Sequence, residues 1–293
     1  MSTVHETGEL QASTPAAAEP PPRPRGRGLT LSKVGRKAVD AALPMSLLAA
    51  LIIGWEVFAR VAEVREFLLP APSVIWTELV VMWPVSLRWH AWVTFQEAAA
   101  GFVLGCVLGF VLAVGIAYSK FLERTIYPLI VASQAVPKIA LAPLFVVWLG
   151  FGMEPKILVT VLLVFFPIVV TTVQGLMSVD PNLLQLMQSV SANSWQVFRK
   201  VRLPHALPYL VSGMKIGVTL AVVGAVVGEW VGANEGLGYQ VVYAQSQLQT
   251  PRVFAAIALL VAMGVLFFSA VSILGKLMTP WTREDETRIN TGL

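Results

Sequence analysis

Residues 157–177 read ILVTVLLVFFPIVVTTVQGLM, without one charged side chain. An α-helix needs about 20 mostly apolar residues to cross the ~30 Å hydrocarbon core of a bilayer. Five further stretches of this kind surround it, at about 42–64, 92–118, 126–149, 209–231 and 253–277. They predict an all-α, polytopic membrane protein with about six transmembrane helices. Composition points the same way. The 293 residues are 56% hydrophobic and 13% charged, with a mean hydropathy of +0.71. Soluble domains carry about a quarter charged residues, so this chain has too little polar surface to cover a globule in water.

The formal net charge is +4, with a pI near 9.3. The basic residues fall between the apolar blocks, which is a topology signal rather than a nucleic-acid footprint. With the N-terminus in the cytoplasm, the inner segments collect Arg23, Arg25, Arg27, Lys33, Arg36 and Lys37, then Lys120 and Arg124, then Arg199, Lys200 and Arg202, then Lys276, Arg283 and Arg288. The outer segments hold only Arg65, Arg88, Lys156 and Arg252. The positive-inside rule therefore predicts that both termini are cytoplasmic. Residues 1–41 are rich in Ala, Pro, Glu and Arg at the start, lack the apolar core of a signal peptide, and read as a disordered basic tail. Residues 42–91 read as the first span and an outer segment, residues 92–280 as the membrane core, and residues 281–293 as a cytoplasmic tail. The single cysteine, Cys106, allows no internal disulfide. His5, His90 and His205 show no metal-ligand spacing.

Several features bear on packing. In the outer segment Ser73, after Pro70 and Pro72, is placed to cap a short helix, and Trp76, Trp83, Trp89 and Trp92 fit an interfacial aromatic belt. Gly101, Gly105 and Gly109 share one face of the second span. Gly213 with Gly217, and Gly224 with Gly228, do the same on the fifth, so helix backbones should approach closely there. Pro128, Pro137 and Pro143 interrupt the third span, which predicts a kinked helix 126–149 covered by protein or lining a water-filled path.

The most patterned polar stretch is the cytoplasmic loop, residues 178–208. Asp180 before Pro181 is an N-cap with proline in the first turn. Leu183, Leu184, Met187 and Val190 make one apolar face. Asn193 or Ser194 is placed to cap a second short helix carrying Trp195, Phe198 and Arg202, which Leu203-Pro204 should end. Exposed aromatics on such an element suggest docking into a groove of another protein.

This loop resembles the EAA loop of bacterial ABC-importer permeases, whose pattern is E-A-A, three residues, G, nine residues, I-x-L-P. Aligned on Leu203-Pro204, Val201 takes the isoleucine position and Ser191 the glycine position. Gln185, Leu186 and Met187 take the E-A-A positions, where this sequence departs from the pattern. The resemblance is closest to the nitrate/sulfonate/taurine permease branch. It extends over Ala71-Pro72-Ser73, Pro137-Lys138-Ile139-Ala140-Leu141-Ala142-Pro143-Leu144, Gly150-Phe151-Gly152, Gly228-Glu229 with Gly236-Leu237-Gly238-Tyr239, and Thr250 to Ala255. It implies a type-1 (MetI-like) permease fold in the bacterial inner membrane and a dimer with a second copy. It also implies two cytoplasmic ABC ATPase subunits that bind the loop, and an extracytoplasmic solute-binding protein. Gln185, Met187, Ser191, Trp195, Phe198, Arg199, Val201, Leu203 and Pro204 are then the ATPase-coupling residues.

No catalytic set is legible. Gly275-Lys276 is followed by Leu277 and lacks the P-loop pattern, so no cofactor is expected and ATP must be used by the partner. Gln134, Lys138 and Glu229 are the candidate substrate-pathway residues, since polar groups at membrane depth face a bundle interior or a wet cavity. Gln245, Ser246, Gln247 and Gln249 read as a periplasmic loop. The solute implied is small, such as nitrate, a sulfonate or taurine, or a vitamin precursor. The alternative reading is a secondary transporter driven by an ion gradient, which shares broken helices and buried charges but leaves the loop unexplained. A third, an intramembrane enzyme, lacks a nucleophile–base or metal set.

Overall fold

A computed structural model describes residues 33–282, and every regular element among them is helical. The tails 1–32 and 283–293 lie outside the described residues. The elements are α1 (Lys33–Val61), α2 (Pro72–Met82), α3 (Arg88–Tyr118), α4 (Lys120–Ser133), α5 (Ala142–Leu149), α6 (Glu154–Met177), α7 (Pro181–Ser189), α8 (Ser194–Val197), α9 (Leu203–Gly232), α10 (Leu237–Ser246) and α11 (Thr250–Met278). Among the described residues, five helical stretches are long and apolar enough to cross a membrane, or six if the bent pair α4/α5 counts as one span.

Two sequence expectations change at the N-terminal side. Residues 33–41 are helical rather than disordered; Lys, Arg and Ala, all strong helix formers, make up much of that stretch. Ser73 does not cap α2. The N-cap is Ala71, and Ser73 gives both its backbone N–H and its hydroxyl to Glu56 of α1. A carboxylate from α1 therefore satisfies one free backbone donor of α2, that of Ser73, and its charge suits the positive end of the helix better than a hydroxyl.

The chain falls into two units that meet between Leu51 and Ile52. In the first, Leu43, Met45, Leu47, Leu48 and Leu51 are all exposed, as on a lipid-facing helix. In the second, α6 is the central element, packed between α3 and α9. The glycines explain why. A Cβ at Gly105 would meet Val164 of α6 at 2.8 Å, one at Gly109 would meet Ile168 at 2.9 Å, and one at Gly101 would clash with Thr160. From the other side, a Cβ at Gly224 would lie 2.7 Å from the Thr160 Cα, and one at Gly228 would lie 2.8 Å from the Lys156 Cα. Two small-residue faces thus grip one helix, and the attraction is close van der Waals contact rather than hydrophobic burial. Because Gly224 faces backbone, which cannot rotate away, Gly224→Ala is expected to cost about 1–3 kcal/mol through overpacking. The check is a lower thermal midpoint of the purified protein by size-exclusion chromatography after heating.

The third span is not one kinked helix. α4 and the segment Lys138–Leu149 are bent by 87° at a short break. Pro137, at φ −71° and ψ 85°, opens a 3₁₀ turn at Lys138–Leu141 before Pro143 starts α5. The residue ahead of a proline is pushed out of the helical region, so Val136-Pro137 turns the chain rather than merely bending it. Trp76, Trp83, Trp89 and Trp92 are all exposed, as an interfacial belt requires.

Candidate functional site

Three clusters in the second unit carry polar chemistry. The first is the polar element between α6 and α9. Asp180 caps α7 by accepting from the Asn182 N–H at 2.8 Å. Asn193 and Gln196 form a reciprocal capping box at α8, with bonds of 2.9 and 2.8 Å. Ser191 has φ +57°, the left-handed region, and this is the position where the EAA pattern carries glycine. The sequence thus keeps the turn without the residue that adopts it freely.

Leu203-Pro204 does not end the second short helix, which corrects the sequence reading. A single π turn, Phe198–Arg202, carries α8 straight into α9, with Pro204 in the first turn. The wider turn makes room for the proline ring and removes the need for its missing N–H.

The side chains of this element divide by exposure. Trp195 is 65% exposed, while Phe198 and Val201 are buried. Gln185, Ser191 and Arg199 are exposed, and Met187, Leu203 and Pro204 are half-buried. Phe198 packs with Leu176 of α6, Ala206 of α9 and Val114 and Ala117 of α3. Its ring meets Trp195 at 5.5 Å and Tyr118 edge-on at 5.8 Å. Arg202 lies over the Tyr118 ring at 5.3 Å and donates to the Ala117 carbonyl at 3.3 Å. Phe198 thus packs beneath the exposed Trp195 against the ends of α3, α6 and α9. The contact to α3 had a signal in the sequence, Tyr118 at a helix end with Arg202 as a cation for it.

The second cluster lines a cavity of about 400 Å³. It brings together Gln134, Lys138 and Thr171 with apolar walls from Leu163, Phe166 and Ile216. The Lys138 ammonium lies 4.4 Å from the centroid of the Phe166 ring. Glu229, expected on the same path, does not line this cavity.

Glu229 belongs instead to the third cluster, at the opposite end of α9 from the α7–α8 element. It is 2% exposed and accepts from the Thr94 hydroxyl at 2.6 Å and from the backbone N–H groups of Gly238 and Tyr239. Thr94 in turn accepts from the Leu237 N–H at 2.8 Å, and His90 Nδ1 accepts from the Gly236 N–H at 3.0 Å. Gly236 has φ +112°, and a Cβ there would strike the Glu229 carboxyl. The turn that starts α10 is therefore pinned to α3 and α9. Beside it, Lys156 of α6 donates to fully buried Glu97 of α3 at 2.6 Å. Lys156 is thus not an outer-loop charge. The missed signal was one lysine and two glutamates close to apolar spans, which bury safely only as a group.

This architecture has known counterparts. The family described as "Binding-protein-dependent transport system inner membrane component" matches residues 101–283. The chain belongs to this family. A relative named formylaminopyrimidine transport permease protein ThiX, from Halalkalibacterium halodurans, is 38% identical over 250 residues, covering 85% of this chain and 100% of the relative. A putative aliphatic sulfonates transport permease protein, SsuC of Bacillus subtilis, is 32% identical over 255 residues, covering 87% and 92%. Among solved structures, an inward-facing form of the MetNI methionine ABC transporter superposes with a TM-score of 0.58 at 23% identity, over 69% of this chain and 98% of that one. That likeness shows the fold of a type-1 ABC importer's membrane subunit. The permease is a transport subunit rather than an enzyme, and its family implies an ATPase and a binding protein as partners.

Proposed function

We propose that the permease, paired with a second copy of itself, imports a small solute by alternating access driven by ABC ATPase subunits bound to the α7–α8 element on the cytoplasmic face. The supporting observation is that element's build. An exposed Trp195 rim sits on a Phe198 wedge that touches three membrane helices. In this reading, ATP binding draws the partner ATPases together, the wedge tilts α3, α6 and α9, and the space between the two copies changes the side to which it opens. The distribution of Lys and Arg supports cytoplasmic termini. The relatives' names support solutes of the size of an aliphatic sulfonate or a formylaminopyrimidine.

Uptake separates this from an ion-gradient transporter. Cells carrying the permease with its ATPase and binding protein are assayed for accumulation of labelled sulfonates and pyrimidines. Import that stops when ATP is depleted and survives a protonophore fits the proposal. Import with the reverse sensitivity contradicts it.

A further inference from the structure

The Gly236 turn is fastened through a set of charges that does not balance. Glu97, Glu229 and Lys156 are all buried, and the two carboxyl groups lie within hydrogen-bond reach of each other. Fully ionised, they would set two negative charges against one ammonium. Two carboxylates that close, out of water, do not both ionise; one keeps a proton. The donors show which. Glu229 accepts from the Thr94 hydroxyl on Oε1 and from the Gly238 and Tyr239 N–H groups on Oε2, as a carboxylate does. Glu97 accepts from Lys156 on Oε1, and its Oε2 meets no donor among the described residues. A buried oxygen left in that state is costly as a carboxylate. As an O–H it donates to Glu229, and the three side chains then sum to zero charge. The other titratable groups that face the cluster are His90 of α3, Glu235 of the turn and Tyr239 of α10. From α11 comes Arg252, which is paired with Glu78 of α2.

We propose that Glu97 and Glu229 form a binding site for one proton, and that this proton latches the turn at Gly236–Tyr239 to α3 and α9. With the proton in place, the O–H of one carboxyl group bonds the other, and Glu229 is free to hold the Gly238 and Tyr239 N–H groups. Loss of the proton leaves two adjacent negative charges, which repel. Thr94 stands between them and the turn, donating to Glu229 and accepting from the Leu237 N–H, so separation of the carboxylates strains that bridge as well. A freely solvated glutamate is ionised at neutral pH. The latched form therefore binds one proton more than the opened form. The latch is complete near neutral pH and is lost as pH rises, with the opening equilibrium growing by up to about tenfold per pH unit. The site goes beyond the import reading and does not depend on the solute.

The test uses the permease assembled with its ATPase subunits in nanodiscs. Amide hydrogen exchange of the peptide that contains residues 236–239 is followed from about pH 7 to about pH 10, a range above the ordinary titration of histidine, and is corrected for the intrinsic pH dependence of exchange. In the parent protein the corrected rate should be low at neutral pH and rise by about tenfold per pH unit once the proton leaves. Glu97→Gln keeps a donor toward Glu229 but has nothing to titrate, so its turn should stay protected across the range. Tyr239→Phe should titrate like the parent, which excludes the phenol as the source. The infrared spectrum supplies the second readout. At neutral pH the parent should show the carbonyl band of a protonated carboxyl group, shifted in D₂O and missing from Glu97→Gln. A rise in exchange that is the same in Glu97→Gln as in the parent overturns the proposal, because Lys156 or another group would then be titrating. So does a parent-minus-Glu97→Gln infrared difference without that band. A parent turn whose corrected exchange does not change over the range overturns it without reference to any variant.

Discussion

Lys156→Met should abolish recovery of folded permease. Among the described residues, Lys156 is the one cation beside two buried carboxyl groups, Glu97 at 0% and Glu229 at 2% exposure. Its loss leaves Glu97 without a donor for Oε1, while Oε2 already has none among the described residues. Removing one member of a buried ion pair costs about 3–5 kcal/mol because an uncompensated charge remains behind. That is comparable to the whole stability margin of many domains. The check is the monodisperse peak of a fluorescent fusion in mild detergent, which should disappear. Glu97→Gln is the informative companion. The Gln carbonyl still accepts from Lys156, and the amide N–H₂ supplies a donor toward the Glu229 carboxylate next to it. Glu97→Gln should therefore retain most of the peak. Equal loss in both variants would show that the cluster requires two carboxyl groups rather than a charge balance.

Trp195→Ala should leave the fold intact and release the ATPase subunits. The side chain is 65% exposed, so truncation removes little buried area, and the Asn193–Gln196 capping box remains. Tryptophan at the centre of a docking surface commonly contributes 2 kcal/mol or more, which is about a 30-fold weaker complex. Co-purification of a tagged ATPase with the permease should fall accordingly, while the permease peak and its thermal midpoint stay near parental values. Phe198→Ala should behave in the opposite order. It empties a site packed among α3, α6 and α9, costing about 3–5 kcal/mol in the permease itself. Full ATPase recovery and full uptake with Trp195→Ala would remove that residue from the docking surface.

The sequence showed the spans and the two short helices α7 and α8 because each depends on local pattern. Uninterrupted apolar runs gave α3, α6, α9 and α11, and glycine spacing gave the faces by which α3 and α9 grip α6. Asp180-Pro181 and Asn193 were legible as caps because capping uses neighbours within three residues. What stayed hidden depends on partners distant in sequence. Glu229 bonds Thr94 across 135 positions, so its role in pinning the Gly236 turn had no local mark, and it read as a pathway residue. Ser73 is claimed by Glu56 rather than by its own helix. Gln245 and Ser246 were read as loop, although they end the helix Leu237–Ser246, which is held at its start by that same pinned turn. The Pro204 reading failed for a different reason. Proline ends a regular α-helix, but the π turn before it lets the chain continue.

The account turns on which face of the membrane carries the α7–α8 element. Gln188 is exposed on α7. In a Cys106→Ala background, Gln188→Cys is treated in intact cells with a membrane-impermeant maleimide, and again after permeabilisation. Labelling only after permeabilisation is the expected result if the element faces a cytoplasmic ATPase as proposed. Labelling of intact cells to the same extent would put the element outside, where no ATPase can reach it, and would contradict the coupling mechanism at its base.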